Sequence, residues 1–311
     1  MALRMKDTPP EPADMSADPQ QLVDDLVRLL TVSRTGDETF TGGQQKDGFG
    51  RVFGGQVIAQ ALQAAQATVN DEKVAHSLHA YFLRGGEEGL SIDYATAADF
   101  EGRSFANRRV VASQNGKPIL NLTASFQKPE DGMAHQDSVM PEVAPPEELK
   151  SDMEMRRYYA DKQDMPDASR KLMLRPRPIE MRTIDRLHWM NSEPKEPRAH
   201  TWFRTAAPLP DDAVLHRAII AYASDYTLLG TSALPHGLSW MRGEIVGASL
   251  DHAMWFHREA RADEWLLYAT DAPWSGSGRG YNRGRIYDRA GNLVASVAQE
   301  GMMRKRKKEL A

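Results

Sequence analysis

Two stretches of this chain repeat one order of elements, and that repetition narrows the possible folds more than anything else in it. An alanine-rich apolar run at residues 56–69 precedes strand-like runs at 75–83, 90–99, 105–114 and 119–127. A second apolar run at 216–229 precedes strand-like runs at 247–257, 264–272, 280–288 and 293–302, with two more at 180–187 and 199–205 ahead of it. His79-Ala80-Tyr81-Phe82-Leu83-Arg84 parallels His252-Ala253-Met254-Trp255-Phe256-His257-Arg258 with one residue inserted. The hairpin signal Asn115-Gly116 parallels Ala290-Gly291. Self-similarity at this spacing predicts two copies of one unit. One long helix followed by antiparallel strands makes that unit an α+β module.

The flanks fit between and around these modules. Residues 1–18 are proline-rich and polar and read as an arm. Asp18 is placed to cap a helix with Pro19 at its first position, and Leu22, Val23, Leu26, Val27, Leu29 and Leu30 form its apolar stripe. Residues 37–41 resemble a short strand and 44–50 a loop. Residues 128–178, with Pro129, Pro141, Pro145, Pro146, Pro166, Pro176 and Pro178, read as the connection between halves, holding one short helix near 147–161. The expected division is an arm (1–18), a first module (19–128), a connection (129–178), a second module (179–304) and a basic tail (305–311).

Within 216–229, Ile219, Tyr222, Ala223 and Tyr226 recur at the period of a helix with one buried face. Asp225 falls at the edge of that face, where low dielectric disfavours its charged form. A lone acid at a stripe's margin is more often a plain surface residue. In the first half, Phe53-Gly54-Gly55 leads into the other helix. Its glycines could present N–H groups to an oxyanion or phosphate, although a tight entry turn is the commoner use.

Several classes of function are excluded or disfavoured. The chain has no cysteine, which rules out disulfides, thiolate metal sites and a cysteine nucleophile. A net charge of −4 gives no reason to expect a nucleic-acid partner, and the basic run at 304–308 reads as a solvated tail. No apolar run has the length of a membrane span, and the N-terminus lacks a signal-peptide core, favouring the cytoplasm. His76 and His79 are read as facing one side of their strand; with no further ligand at metal spacing they are structural histidines, and no metal or cofactor is expected. Asp251-His252 resembles part of a triad, but neighbouring strand residues point to opposite faces, so the pair is set aside. Gly276-Ser277-Gly278 is too short for a nucleophile elbow.

Seven ordered motifs resemble the acyl-CoA thioesterase II family. They are Arg51-Val52-Phe53-Gly54-Gly55-Gln56, His76-Ser77-Leu78-His79-Ala80-Tyr81-Phe82-Leu83-Arg84, Gln114-Asn115-Gly116-Lys117-Pro118, Tyr222-Ala223-Ser224-Asp225, Leu250-Asp251-His252-Ala253-Met254-Trp255-Phe256-His257-Arg258, Glu264-Trp265-Leu266-Leu267-Tyr268 and Val294-Ala295-Ser296-Val297-Ala298-Gln299-Glu300-Gly301. The match runs from about Leu22 to Arg304 and fails mainly in the proline-rich connection. The resemblance implies a double hot-dog, two curved antiparallel sheets each wrapped around a long helix. It implies hydrolysis of fatty acyl-CoA to free acid and CoA, with Asp225, Ser249 and Gln299 as the catalytic set. His76, Gly54 and Gly55 are placed near substrate. A homo-oligomer, dimer or tetramer, is implied as well. Peroxisomal members end in a Ser-Lys-Leu-type signal, whereas this chain ends Glu309-Leu310-Ala311. The alternatives are a hot-dog enoyl-CoA hydratase, which carries a His soon after its Asp, and a non-catalytic acyl-CoA-binding protein. Matching the halves sets Gln63 opposite Asp225 and Ala124 opposite Gln299, so a single site per chain is expected.

Overall fold

The computed structural model describes residues 17–44, 50–162, 167–184, 193–238, 240 and 243–306. The expected arm up to residue 16, most of the 44–50 loop and the end of the basic tail lie outside the described residues.

The first half begins with α1 (Pro19–Leu30), whose Asp18 carboxylate accepts the Gln20 N–H at 3.0 Å. Asp and Pro supply the cap and the pre-set φ that the sequence offered. Then come β1 (Val32–Arg34), β2 (Thr39–Gly42), α2 (Gly54–Gln66), β3 (Val74–Phe82), β4 (Ile92–Glu101), β5 (Phe105–Gln114) and β6 (Lys117–Gln127). Between β5 and β6, Asn115 and Gly116 both take positive φ, 49° and 72°. That is the two-residue turn whose twist matches antiparallel strands.

The connection is more structured than expected. It holds a 3₁₀ turn at Pro146–Glu148 and two helices, α3 (Asp152–Lys162) and α4 (Asp167–Met173). Ser151 and Glu154 form a capping box: the Ser151 hydroxyl accepts the Glu154 N–H at 3.2 Å, and Glu154 accepts the Ser151 N–H at 2.7 Å. That box starts α3 several residues later than composition alone suggested. The second half contains β7 (Ile179–Thr183), β8 (Arg198–Thr205), α5 (Ala213–Ser224), a 3₁₀ segment (Leu228–His236), β9 (Ile245–Ser249), β10 (Asp251–Phe256), β11 (Leu266–Gly276), β12 (Arg279–Tyr287) and β13 (Leu293–Lys305).

All strand pairs are antiparallel, in the order β1-β2-β4-β5-β6-β3-β10-β13-β12-β11-β8-β7, with β9 also on β13. The halves therefore meet at one ladder, β3 on β10, with Leu78 opposite Met254. One face of this sheet packs on the helices, and α2 lies against α5. Leu78, Leu120, Leu122, Ile58 and Ile219 are fully buried in a cluster that spans both halves. Burying each such side chain stabilises by about 1.5–3 kcal/mol, so neither half has a core separable from the other. Among the described residues no helix is long and apolar enough to cross a membrane.

Two register shifts decide which residues face inward. On β3 the pairing with β6 slips between Ala75 and Ser77. A spacing of three would send His76 and His79 to opposite faces, and this bulge returns both to the outer one. His76 bonds Ser125 there at 2.8 Å, and His79 meets the Trp255 ring edge-on. On β13, Gly301 faces Ser249 while Ala298 faces Ala253. Four steps along β9–β10 thus match three along β13, breaking the expected 247–257 strand at Leu250. The bulge puts Ser249 on the inner face together with His252, Met254 and Phe256.

Candidate active site

Asp225 does not sit within its helix, as the periodicity suggested, but caps it. Helix α5 starts earlier than expected because Asp212 accepts the N–H groups of Val214 and Leu215 at 2.9 and 3.1 Å. It ends at Ser224, with Asp225 at φ −86°, ψ −6°. The last turn tightens, the Tyr226 N–H going to the Ala223 carbonyl at 3.1 Å. Asp225 is thereby held at the junction of α5 and the N-terminus of α2.

That junction depends on the two glycines. Both lie in the first turn of α2 rather than ahead of it. A Cβ on Gly54 would stand 2.6 Å from Asp225 Oδ2, and one on Gly55 would stand 2.4 Å from the Tyr222 carbonyl oxygen. Only glycine lets the two helix ends approach this closely. The approach allows the Gly55 N–H to donate to the Asp225 carboxylate.

The cluster is built from four elements. The Gln299 amide, on β13 and 1% exposed, donates to Asp225 Oδ1 at 2.6 Å. Ser249 Oγ lies 3.5 Å from the same oxygen, at the outer limit of a hydrogen bond. His252, 0% exposed, sits behind Gln299 with Nδ1 3.1 Å from the amide nitrogen and 3.9 Å from Asp225 Oδ1. The backbone of Asp225 is partly exposed, but its side chain keeps only 5% of its exposure. Burial pushes its pKa up to about 6, against the lowering effect of hydrogen bonds from Gln299, Gly55 and Ser249. Burial also pushes His252 down to about 4, leaving it neutral.

The structure thus brings together Asp225, Ser249, Gln299, Gly54 and Gly55. It does not bring His76, which lies on the opposite face of the sheet. It adds His252, which the sequence reading set aside. Adjacent strand residues do point to opposite faces, but that argument removes only one member of the Asp251-His252 pair. Asp251 turns to accept the Glu300 N–H at 2.6 Å, while His252 joins the inward series with Met254 and Phe256. That alternation is the signal that would have found it.

Asp225, Ser249 and Gly54 line a cavity of about 940 Å³ together with apolar side chains such as Val57, Phe82 and Leu229. Arg51, Arg84, Arg156 and Arg177 line it too. Asp152 carries a raised pKa there, through burial and despite Arg156. Among the described residues the first half has no equivalent set. Helix α2 runs to Gln66, and its C-terminal cap is Ala67 where that of α5 is Asp225. Leu78 pairs with Ala124 where His252 and Gln299 meet in the second half.

Comparison with known proteins accounts for nearly the whole chain. Residues 44–127 match the acyl-CoA thioesterase N-terminal domain and residues 152–303 the acyl-CoA thioesterase C-terminal domain. Acyl-CoA thioesterase 2 of Haemophilus influenzae is 35% identical, over 91% of this chain and 98% of that one. Human acyl-coenzyme A thioesterase 8 is 39% identical over 82% of this chain and 81% of its own. An acyl-CoA thioesterase II crystal structure from Mycobacterium marinum superposes with a TM-score of 0.73 at 36% identity, covering 92% of this chain and all (100%) of that one. A protein of unknown function from Alicyclobacillus acidocaldarius, at 19% identity and TM-score 0.72 over 91% and 99% of the two chains, shares the hot-dog fold. With both halves matched in order, and relatives aligned across most of its length, this chain belongs to the acyl-CoA thioesterase family, on a double hot-dog fold.

Proposed function

We propose that this protein hydrolyses fatty acyl-CoA thioesters to free acid and CoA, with Asp225 as the general base. The observation that carries the reading is a carboxylate at a cavity wall, raised to about 6 by burial and held by Gln299 and Gly55. At neutral pH such a group is mostly ionised yet about two units more basic than an ordinary Asp. A water between Asp225 and Ser249 Oγ gives its proton to the carboxylate as its oxygen attacks the thioester carbonyl. The N-terminus of α2, which has no side-chain cap, turns the Gly54 N–H toward the developing oxyanion. Collapse of the tetrahedral intermediate breaks the C–S bond, and the proton held by Asp225 leaves with the CoA thiolate. The apolar lining suits an acyl chain, and the four arginines suit the phosphates of CoA.

A hydratase would need a histidine beside the acid with a nitrogen open to substrate. His252 is the residue nearest to that description, but it is fully buried and both ring nitrogens are engaged. Hydrolysis is tested on a panel of acyl-CoAs of different chain length, following released CoA with a thiol reagent. The chain has no cysteine, so the reagent reads only product. Turnover is expected; tight acyl-CoA binding with no CoA released would make this a binding protein instead. Exposed Tyr81 and Trp255, on the adjacent strands β3 and β10, support assembly of several chains through the outer sheet face, which sedimentation tests.

A further inference from the structure

A chain of polar groups runs inward from the base, and its hydrogens can be placed one by one. The Ser224 hydroxyl donates its single proton to the Ala221 carbonyl at 2.8 Å, one of the last four carbonyls of α5. Its oxygen, 2.9 Å from His252 Nε2, must then accept, so His252 carries its proton on Nε2. Nδ1 is left as an acceptor 3.1 Å from Gln299 Nε2. The two amide protons of Gln299 go to Nδ1 and to Asp225 Oδ1, and its carbonyl oxygen is buried with no partner among the described residues. A neutral His252 fits this arrangement.

While Asp225 is ionised its carboxylate favours the N–H edge of the amide, but a protonated carboxyl can equally donate to an amide oxygen, and N and O are nearly isosteric. We propose that His252, with its tautomer set by Ser224, is a positioning residue that locks the Gln299 amide with its N–H edge toward Asp225. This rests on the reading of Asp225 as base. Without the lock the amide can turn over when Asp225 takes up a proton, its oxygen then accepting from the carboxyl, and this added state favours the protonated acid. The other groups facing Asp225 are Ser249 from β9, the Gly55 N–H from α2 and the Tyr268 phenol from β11, whose hydroxyl donates to the Ser224 carbonyl. None of these is charged at neutral pH. Arg51, Arg84, Arg156 and Arg177 line the cavity in front.

The test compares pH profiles of kcat for wild type, His252→Leu, His252→Asn, Ser224→Ala and Asp225→Asn. In His252→Leu the acid limb is expected to move up by about one unit, which lowers kcat about twofold at pH 7 and about tenfold at pH 5, with KM within threefold. His252→Asn, which keeps an acceptor near the place of Nδ1, recovers most of both. Ser224→Ala frees the tautomer and also moves the limb upward, which keeps the test alive if His252→Leu does not fold. Nitrogen NMR of histidine-labelled wild type should show His252 neutral and protonated on Nε2 between pH 5.5 and 8. Limbs of His252→Leu and Ser224→Ala that superimpose on wild type overturn the proposal, as does a proton on Nδ1. An active Asp225→Asn overturns instead the base reading on which it stands.

Discussion

Replacing Asp225 by Asn should make the protein more stable at neutral and alkaline pH while removing its activity. The folded carboxyl titrates at about 6 against 3.8 for an unperturbed Asp, because burial opposes its charge. A raised folded pKa means that the native state binds the proton more tightly than the unfolded chain. The stability this group contributes is fully present below pH 3.8 and is lost as pH rises through about 6. Some two units correspond to about 3 kcal/mol between those limits. Asn carries no charge and escapes that cost, but its NH₂ cannot accept the N–H that Gly55 offers, a loss of about 1 kcal/mol. The net gain is about 2 kcal/mol above pH 7, a few degrees in Tm for a chain of this size. It should vanish and slightly reverse below pH 4. Thermal melts of both proteins from pH 4 to 8.5 measure it. A difference that does not change with pH, or a variant less stable at pH 8, would refute the argument that Asp225 is held in a charge-hostile site.

The same raised pKa sets the rate profile: kcat for the wild type should fall tenfold per unit below about pH 6, since a protonated Asp225 cannot accept the water's proton. Gln299→Ala removes the amide donor to Asp225 and should lower kcat by about 10²-fold with the fold kept, and Ser249→Ala should lower it by at least tenfold; steady-state assays at pH 8 measure both. Gly54→Ala forces a methyl to 2.6 Å from Asp225 Oδ2 and 2.9 Å from Phe82 Cζ, and should cost at least tenfold in kcat by displacing the base. A fully active Gly54→Ala enzyme would mean that the α2–α5 junction yields freely.

Most of the architecture was legible because it rests on local chemistry. Asp18-Pro19 starts α1, Asn115-Gly116 turns β5 into β6, and the repeated helix-then-strands order placed two modules side by side. The end of α5 was not legible. An apolar stripe continues through Tyr226 to Leu229, and only backbone bonding shows that the α-helix stops at Ser224 and resumes as a 3₁₀ segment. That matters because it places Asp225 at a helix end, against the first turn of α2. Asp225, Ser249 and Gln299 were named from motif order, with no sequence spacing to predict that a bulge at Leu250 would turn Ser249 inward. The same register effects explain His76 and His79, whose common face comes from a bulge rather than from their spacing. His252 was within reach: its alternation with Met254 and Phe256 marks a core-facing position, where a buried polar ring calls for partners.

The role of Asp225 itself is tested most directly by kcat of Asp225→Asn on a long-chain acyl-CoA at pH 8, where the wild-type carboxylate is fully ionised. With the variant shown to be folded by its melt, kcat should fall by about 10²- to 10⁴-fold, the usual worth of a positioned base, with KM little changed. A variant that turns over at close to the wild-type rate would place the base elsewhere and contradict the mechanism proposed for this cavity.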